Sequence, residues 1–269
     1  MTDASVALAQ QIEDFRLEAI ALDRVLAHVP PDTWQRATSF KAWTIWDVVA
    51  HLHMGDTMGF LTLTDPQEFE RQTHARHSSP MSRVAFTREW IGDLDGPSLL
   101  VRWRERYQQL IDRFVSADPN VRLKWSGPGM KPRMFMTSRQ METWAHGSEI
   151  FDLLGVTQEP TARLYNIATL GVRTYGWTFS NRNLTPPGPP PRVQLTAPDA
   201  TQWVWNGDNA ESSVHGNALD FCQVVTQVRN VADVNIQTYG DAASTWMKLA
   251  QCFAGPPEDP PVPGSRVPQ

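Results

Sequence analysis

The sequence lacks three features that would each assign it to a common class of protein. Its 269 residues contain no apolar run that approaches the roughly 20 residues of a membrane-spanning helix, so no membrane partner is expected. It has no arginine-rich run or basic stripe, and its net charge is −5, so a nucleic-acid partner is not expected. The amino terminus is acidic and amphipathic, unlike a signal peptide, which predicts a cytoplasmic protein.

Cysteine is also scarce. The two cysteines, Cys222 and Cys252, lie in patterns typical of buried helix faces. Without an export signal, they are expected to be reduced core residues and not a disulfide. Neither lies in a setting that indicates a reactive thiol, so the sequence offers no nucleophilic cysteine.

Apolar residues, in contrast, are plentiful at 41% and recur with helical spacing in the first part of the chain. Helices are predicted at 4–28, 44–61, 84–94, 97–116 and 136–155, with a short helix or lid-like connection at 64–82. Thr44 is predicted to cap the second of these with Asp47 at the third helical position. Thr137 and Gln140 predict a capping box for the helix that Gly155 ends. The four long helices predict an up-down bundle.

Beyond Gly155 the pattern changes to mixed helix and strand. The sequence predicts a helix at 160–181, a proline-rich hinge, strands at 192–197, 202–206 and 212–216, and helices at 217–229 and 240–253. The predicted fold class is α+β, with an N-terminal four-helix bundle followed by a smaller α+β domain. The predicted boundaries are 1–157 for the bundle, 158–255 for the α+β domain and 256–269 for a loose proline-rich tail.

A carboxylate and an imidazole lie one turn apart in the helix predicted at 136–155. Glu142 and His146 are four residues apart, so both project from one face and can hold one metal ion. The same spacing also occurs on solvated or ion-paired helix faces. By itself it leaves both interpretations open.

The helix that begins at Thr44 offers a third ligand. Its histidines, His51 and His53, are two apart and point to roughly opposite faces, so only one can reach a site in the bundle core. His51 is expected to point inward and His53 to lie at the surface or rim. A hydrogen-bonded core histidine is the alternative interpretation of His51. An inward-facing His51, together with Glu142 and His146, would instead give a His2Glu set of metal ligands with an open coordination position.

These segments resemble the DinB-like, mycothiol-dependent maleylpyruvate isomerase family. W-T-I-W-D-V-V-A-H-L at 43–52 and E-T-W-A-H-G at 142–147 are similar to its two metal-binding motifs, and W-S-G-P-G-M at 125–130 to the loop between them. The likeness continues through 170–177, 220–227 and 250–257, and so covers nearly the whole chain. In that family the residues at the positions of His51, Glu142 and His146 bind a metal.

The resemblance implies an enzyme with a divalent metal, zinc by its ligands, and mycothiol as thiol cosubstrate. A coordinated thiol is held as thiolate, which is the nucleophile. The main interpretation is S-transfer or thiol exchange onto a small electrophile. Cis-trans isomerisation of the maleylpyruvate type and a non-catalytic metal-containing binding module are the alternatives. A monomer or homodimer is expected.

Two departures from the family pattern favour a changed substrate. Val228 stands where a second basic residue beside Arg229 is expected, and the tail reads E-D-P-P where glycine is usual.

Several further residues are candidates for the site. Arg139 and Arg229 are candidates for substrate contact, although a surface ion pair is an alternative for Arg139. Trp125, Met130 and Trp144 are candidates for the wall of the thiol pocket, with core packing as the alternative. Asp47 is expected to favour its own helix N-terminus. Orientation of His51 by Asp47 is the second possibility.

Overall fold

The computed structural model describes residues 2–125 and 129–266. The chain divides into two compact units, Met1–Leu153 and Leu154–Gln269. We refer to them as the N-terminal and C-terminal units. The expected fold class is confirmed, because the first unit is helical and the second combines helices with a small sheet. In the described residues, no helix is long and apolar enough to cross a membrane.

Long helices make up the N-terminal unit, with one 3-10 turn at Pro31–Gln35. The α-helices are α1 (Asp3–Leu26), α2 (Ile45–Thr64), α3 (Pro66–Ser78), α4 (Arg83–Ile91), α5 (Gly96–Val115) and α6 (Pro132–Leu154). Helix α2 is central: it packs most extensively against α5 and also meets α3 and α4. Fourteen of its twenty residues are buried, so very little of its surface faces solvent.

The start of α2 follows from its first residues, as predicted. The Thr44 hydroxyl accepts a bond from the backbone N–H of Asp47, and the Asp47 carboxylate accepts one from the backbone N–H of Thr44. This reciprocal pair satisfies two of the donors that a helix N-terminus leaves open.

The predicted start of α6 is wrong. The helix begins at Pro132, five residues before Thr137, and proline at a first helical position forfeits no hydrogen bond. Thr137 therefore lies inside the helix, where its hydroxyl donates to the carbonyl of Arg133 and to Gln11 of α1. Gln140 does not complete a capping box but accepts from the Gln11 amide at 2.7 Å. The predicted end is right, since Gly155 follows the helix with φ of 64°.

Helices α2 and α6 approach closely because α2 has no side chain at Gly55 and Gly59. A Cβ at Gly55 would lie 2.6 Å from the guanidinium of Arg139, and one at Gly59 would lie 2.8 Å from the ring of Phe135. Arg139 cannot move aside easily, because its Nε donates to Asp56 Oδ1 at 2.8 Å in the interior.

The C-terminal unit combines helices with a four-stranded sheet. Its elements are α7 (Leu164–Arg173), α8 (Tyr175–Ser180), β1 (Arg192–Thr196), β2 (Gln202–Trp205), β3 (Ser213–Asn217), α9 (Ala218–Val225), β4 (Gln237–Tyr239) and α10 (Asp241–Leu249). The strand order is β2-β1-β3-β4, and β1 and β3 are parallel while the outer pairs are antiparallel. The single helix predicted at 160–181 is wrong: Thr174 interrupts it, and its hydroxyl bonds back to the carbonyls of Leu170 and Gly171.

Two predictions about the end of the chain have different outcomes. Cys222 and Cys252 are both buried, as expected for core residues. The tail has no regular secondary structure up to residue 266, but over that range it is not loose. Asn230 donates to the carbonyl of Pro261 at 2.8 Å, and the Gly264 N–H donates to the carboxylate of Asp233. The last three residues of the predicted tail, 267–269, lie outside the described residues.

Candidate metal centre

Two helices bring the three predicted metal ligands together. His51 comes from the second turn of α2, and Glu142 and His146 come from the middle of α6. Glu142 Oε2 lies 3.1 Å from His51 Nε2 and 3.3 Å from His146 Nε2. In the part of the chain that the structure describes, this is the one group of three or more His, Cys, Asp or Glu whose ligand atoms all lie within 4.8 Å of one another.

The donor atoms have the spacing and chemistry that a zinc ion requires. Ligand atoms about 2.1 Å from a tetrahedral zinc ion lie about 3.4 Å from each other. The two distances from Glu142 Oε2 to the imidazole nitrogens, 3.1 and 3.3 Å, are close to that value. Two imidazole nitrogens and one carboxylate oxygen are also the donor set of catalytic zinc sites, which keep a fourth position open. The residues therefore fit a zinc ion.

The site has the protonation that metal binding needs. Burial, followed by the nearby charge of His146, lowers the pKa of His51 to about 3. Burial acts to raise the pKa of Glu142, but hydrogen bonds from His146 and His51 outweigh it and hold that pKa well below its usual range. At neutral pH, His51 is therefore a neutral imidazole and Glu142 a carboxylate, the forms that bind metals.

An aromatic wall, Phe40 and Trp43, supports the two histidines. The Trp43 ring is stacked on His146 at 5.6 Å with 5° between the planes, and it meets His51 edge-on at 5.4 Å. Phe40 meets His146 edge-on at 5.1 Å. Neither aromatic residue was predicted to serve the site, although Trp43 opens the first family motif.

A tight turn positions this wall. The Trp43 N–H donates to the carbonyl of Phe40 at 2.8 Å, and the two residues between them, Lys41 and Ala42, have φ of 51° and 55°. Positive φ at both central positions is typical of a type I′ turn, which usually carries asparagine and glycine. Backbone strain of this kind is concentrated at functional sites.

The three side chains are partly exposed. The side chains of His51, Glu142 and His146 are 14%, 24% and 15% exposed, respectively. The group is therefore not sealed in the interior of the helical unit.

Two arginines add positive charge near the accessible ligands. The charge of Arg83 contributes to the lowered pKa of His51. The pKa of Arg76 is lowered by burial and then by the charge of Arg83, and it is raised by the charge of Glu142. Arg76 lies on α3 and Arg83 begins α4, so sequence periodicity gives no signal that they approach α2 and α6.

His53 is not the surface residue that the sequence predicts. It is 7% exposed, and its ring lies 5.7 Å from the ring of Trp90. The prediction was wrong because α2 is covered on most of its circumference, so a residue opposite His51 is also buried.

Arg139 and Asp47 form ion pairs elsewhere. Arg139 is 2% exposed and bonded to Asp56, so the surface ion pair is wrong for this residue, and its role in substrate contact stays a prediction. Asp47 caps α2 and accepts two hydrogen bonds from Arg88 at 2.7 and 2.8 Å. Its four oxygen contacts are thus directed to Thr44 and Arg88, as expected for a carboxylate at the helix start.

Four candidate residues remain: Trp125, Met130, Trp144 and Arg229. The ring of Trp125 lies 4.9 Å from that of Phe135 and packs against a cluster formed by Met54, Met58 and Phe69. Met130 pairs its backbone with Leu123. Residues 126–128 of the loop between them lie outside the described residues. Trp144 is 3% exposed within α6, and Arg229 is 7% exposed within the C-terminal unit.

Comparisons with known proteins agree with this reading. The profile of the family described as "Mycothiol maleylpyruvate isomerase N-terminal domain" matches residues 15–151. An uncharacterized protein of Mycobacterium tuberculosis, from strains CDC 1551 / Oshkosh and ATCC 25618 / H37Rv, is 36% identical over 246 residues, which cover 91% of this chain and 96% of the relative.

Crystal structures of the mycothiol-dependent maleylpyruvate isomerase, and of a histidine-to-alanine mutant of it, are similar with a TM-score of 0.57 and 14% identity over 86% of this chain and 92% of that one. At that identity the likeness shows a shared fold. The profile covers half of the chain and includes His51, Glu142 and His146. The chain therefore belongs to the mycothiol maleylpyruvate isomerase N-terminal domain family.

Proposed function

We propose that this protein is a zinc- and mycothiol-dependent isomerase that acts on the cis double bond of a small, anionic, maleylpyruvate-like acid in the cytoplasm. The observation that carries the proposal is the accessible His2Glu set on α2 and α6 in a chain of this family. A zinc ion bound there supplies the positive charge that keeps a coordinating thiol deprotonated near neutral pH.

Each residue of the site has a defined task in this proposal. His51 and His146 would present Nε2 to the metal, and Glu142 would add a negative charge that balances it. Trp43 and Phe40 fix the orientation of the His146 ring and exclude water from that side. The open side admits both the thiol and the acid.

Isomerisation leaves the thiol unchanged at the end of the reaction. The carbon–carbon double bond of the acid becomes a single bond while the sulfur of the thiolate is attached to one of its carbons, and the electron pair moves into the conjugated carbonyl. The substrate then turns about that single bond. The double bond re-forms in the trans arrangement as the sulfur departs with its electron pair, so no other reactant is consumed.

Two observations bear on the choice between isomerisation of an acid and S-transfer to another substrate. The charges of Arg76 and Arg83 reach the ligands, which favours an anionic substrate. Val228, the departure that suggested another substrate, is 2% exposed in the C-terminal unit. A valine at that position fills the interior and carries no information about a surface contact with substrate.

Product analysis tests the proposal. Zinc-loaded protein is incubated with mycothiol and maleylpyruvate, and in parallel with mycothiol and a panel of electrophiles, and the products are identified by NMR and mass spectrometry. We expect a trans isomer of unchanged mass that requires mycothiol. Sulfur-containing conjugates as the main products would instead establish S-transfer, and no product from any substrate would indicate a binding module.

Substitution of the ligands tests the role of the metal centre. We expect His146→Ala and Glu142→Gln each to reduce the zinc content and to lower the turnover by at least about 100-fold. The control is His28→Ala, which removes an exposed histidine after α1. Full turnover in His146→Ala would exclude the proposed metal centre.

A further inference from the structure

A second cavity lies on the other side of α2 from the metal centre. Its volume is about 370 Å³. It is lined by residues of α2, α4 and α5: His53, Thr57, Trp90, Arg102, Glu105, Arg106 and Gln109. We call it the His53 cavity. Since His53 is two residues from His51, the two side chains project about 200° apart around the helix axis, so the cavity is separate from the metal centre.

Three buried polar atoms in the wall of the His53 cavity have no hydrogen-bond partner among the described residues. They are His53 Nδ1, Thr57 Oγ1 and Arg106 Nε. His53 and Thr57 are each 7% exposed, so water does not readily replace the missing partners. Each unsatisfied buried polar group destabilises the folded protein, and three in one wall are unusual.

Each of the three unpaired groups can donate to an acceptor. The Nε of an arginine only donates, a threonine hydroxyl can donate, and a neutral histidine donates from one ring nitrogen. The guanidinium of Arg102 contributes further donors, and its one recorded bond, to the carbonyl of Ile91, is long at 3.5 Å. With a single carboxylate, Glu105, against two arginines, the lining has a net positive charge.

We propose that the His53 cavity binds a small oxyanion, the carboxylate or phosphate group of a small molecule. Such a group provides several acceptor oxygens and a negative charge, and it pairs with arginine through charge-assisted hydrogen bonds. Small rotations of Thr57 and His53 direct their donors at it. The volume lies at the lower end of the range for small-molecule pockets, which limits the ligand to a compact anion. The proposal is independent of the proposed catalytic function.

Calorimetric titration of the zinc-loaded full chain with inorganic phosphate, and separately with succinate, tests the proposal. We expect one saturable site. Arg106→Gln should weaken binding about tenfold, and Thr57→Val, which keeps the shape and removes the hydroxyl, several-fold. The matched control is Arg113→Gln, the same substitution at an exposed position of α5 outside the cavity, for which affinity should change less than twofold. Thermal unfolding of each variant confirms that it is folded.

Each arm has a distinct outcome. Tighter binding of phosphate identifies a phosphate-bearing ligand, and tighter binding of succinate identifies an organic acid. Binding that disappears in His51→Ala would place the anion at the metal centre and overturn the proposal. An equal loss in Arg113→Gln and Arg106→Gln would show nonspecific attraction and would also overturn it. The absence of saturable binding of either anion would also overturn the proposal.

Discussion

The indole of Trp43 lies nearly parallel to the imidazole of His146, with their centroids 5.6 Å apart. This contact restricts rotation of the ring that would present Nε2 to the proposed metal. We expect Trp43→Leu to lower the zinc affinity about tenfold, since groups that orient a ligand contribute tenfold or more to metal affinity. Competition with a chromophoric chelator measures the change.

The control for this substitution is Trp177→Leu, which removes a half-buried tryptophan from the C-terminal unit. Its zinc affinity should equal that of the unsubstituted protein. Unchanged affinity in Trp43→Leu would show that the stack is packing alone.

The turn that carries Trp43 is expected to store backbone strain. Ala42 has φ of 55°, which an L-residue with a Cβ adopts at a cost and glycine adopts freely. We expect Ala42→Gly to raise the free energy of unfolding by about 0.5–1 kcal/mol, measured by urea denaturation. Ala7→Gly within α1 is the matched control, and there the same change should lower the free energy of unfolding by about 1 kcal/mol. Destabilisation in both variants would contradict the assigned strain.

Asp56 and Arg139 form an ion pair in the interior, where they are 0% and 2% exposed. The Trp103 indole also donates to Asp56. Removing one charge leaves the other buried and unpaired, so Asp56→Asn and Arg139→Met should each lower the free energy of unfolding by about 3–5 kcal/mol.

The free energy of unfolding of the double variant, Asp56→Asn with Arg139→Met, should fall by much less than the sum of the two single losses. The double variant leaves no unpaired charge in the interior. Urea denaturation of all four proteins provides the cycle. Arg16→Met, which breaks the half-exposed pair with Glu13, is the control, with an expected loss below about 1 kcal/mol. Additive losses in the cycle would mean that the two charges do not stabilise each other.

Tyr107 should make the protein sensitive to alkali. Burial, followed by the charge of Asp23, raises the pKa of Tyr107 to about 12, against an ordinary value of 10.0. The unfolded chain therefore ionises first as the pH rises. The stabilisation by the protonated phenol is present below pH 10 and is lost between about pH 10 and 12, to a total of about 3 kcal/mol.

Tyr107→Phe removes this titration and keeps the ring. Its free energy of unfolding should lie within about 1 kcal/mol of the unsubstituted protein at pH 8, since the bond to Asp23 is 3.5 Å long. Between pH 10 and 12 it should fall less steeply. Identical slopes for the two proteins would refute the assignment.

Features fixed by neighbouring residues could be predicted from the sequence. Thr44 and Asp47 cap α2 through contacts that span three residues, and the spacing of Glu142 and His146 puts both on one face of α6. The pairing of His51 with Glu142 spans 91 residues. Helical periodicity allowed that pairing, but the family resemblance was needed to choose it over a core histidine.

Features that depend on tertiary packing could not be predicted. Lys41 and Ala42 carry no signal for a type I′ turn, so the placement of Phe40 and Trp43 beside His146 was missed. The rule that opposite faces of a helix differ in exposure failed for His53, because several helices surround α2. Strand β4 was missed since it has only three residues, all exposed, and therefore no apolar alternation.

The distance between the metal ligands depends on two positions that have no side chain. Gly55 and Gly59 follow His51 at intervals of four residues, and α6 occupies the space where their Cβ atoms would be. A methyl group at either position would push α6 outward, and Glu142 and His146 would move with it. The geometry of the candidate site is therefore set by His51, Glu142 and His146 together with two glycines in the eight residues that follow His51.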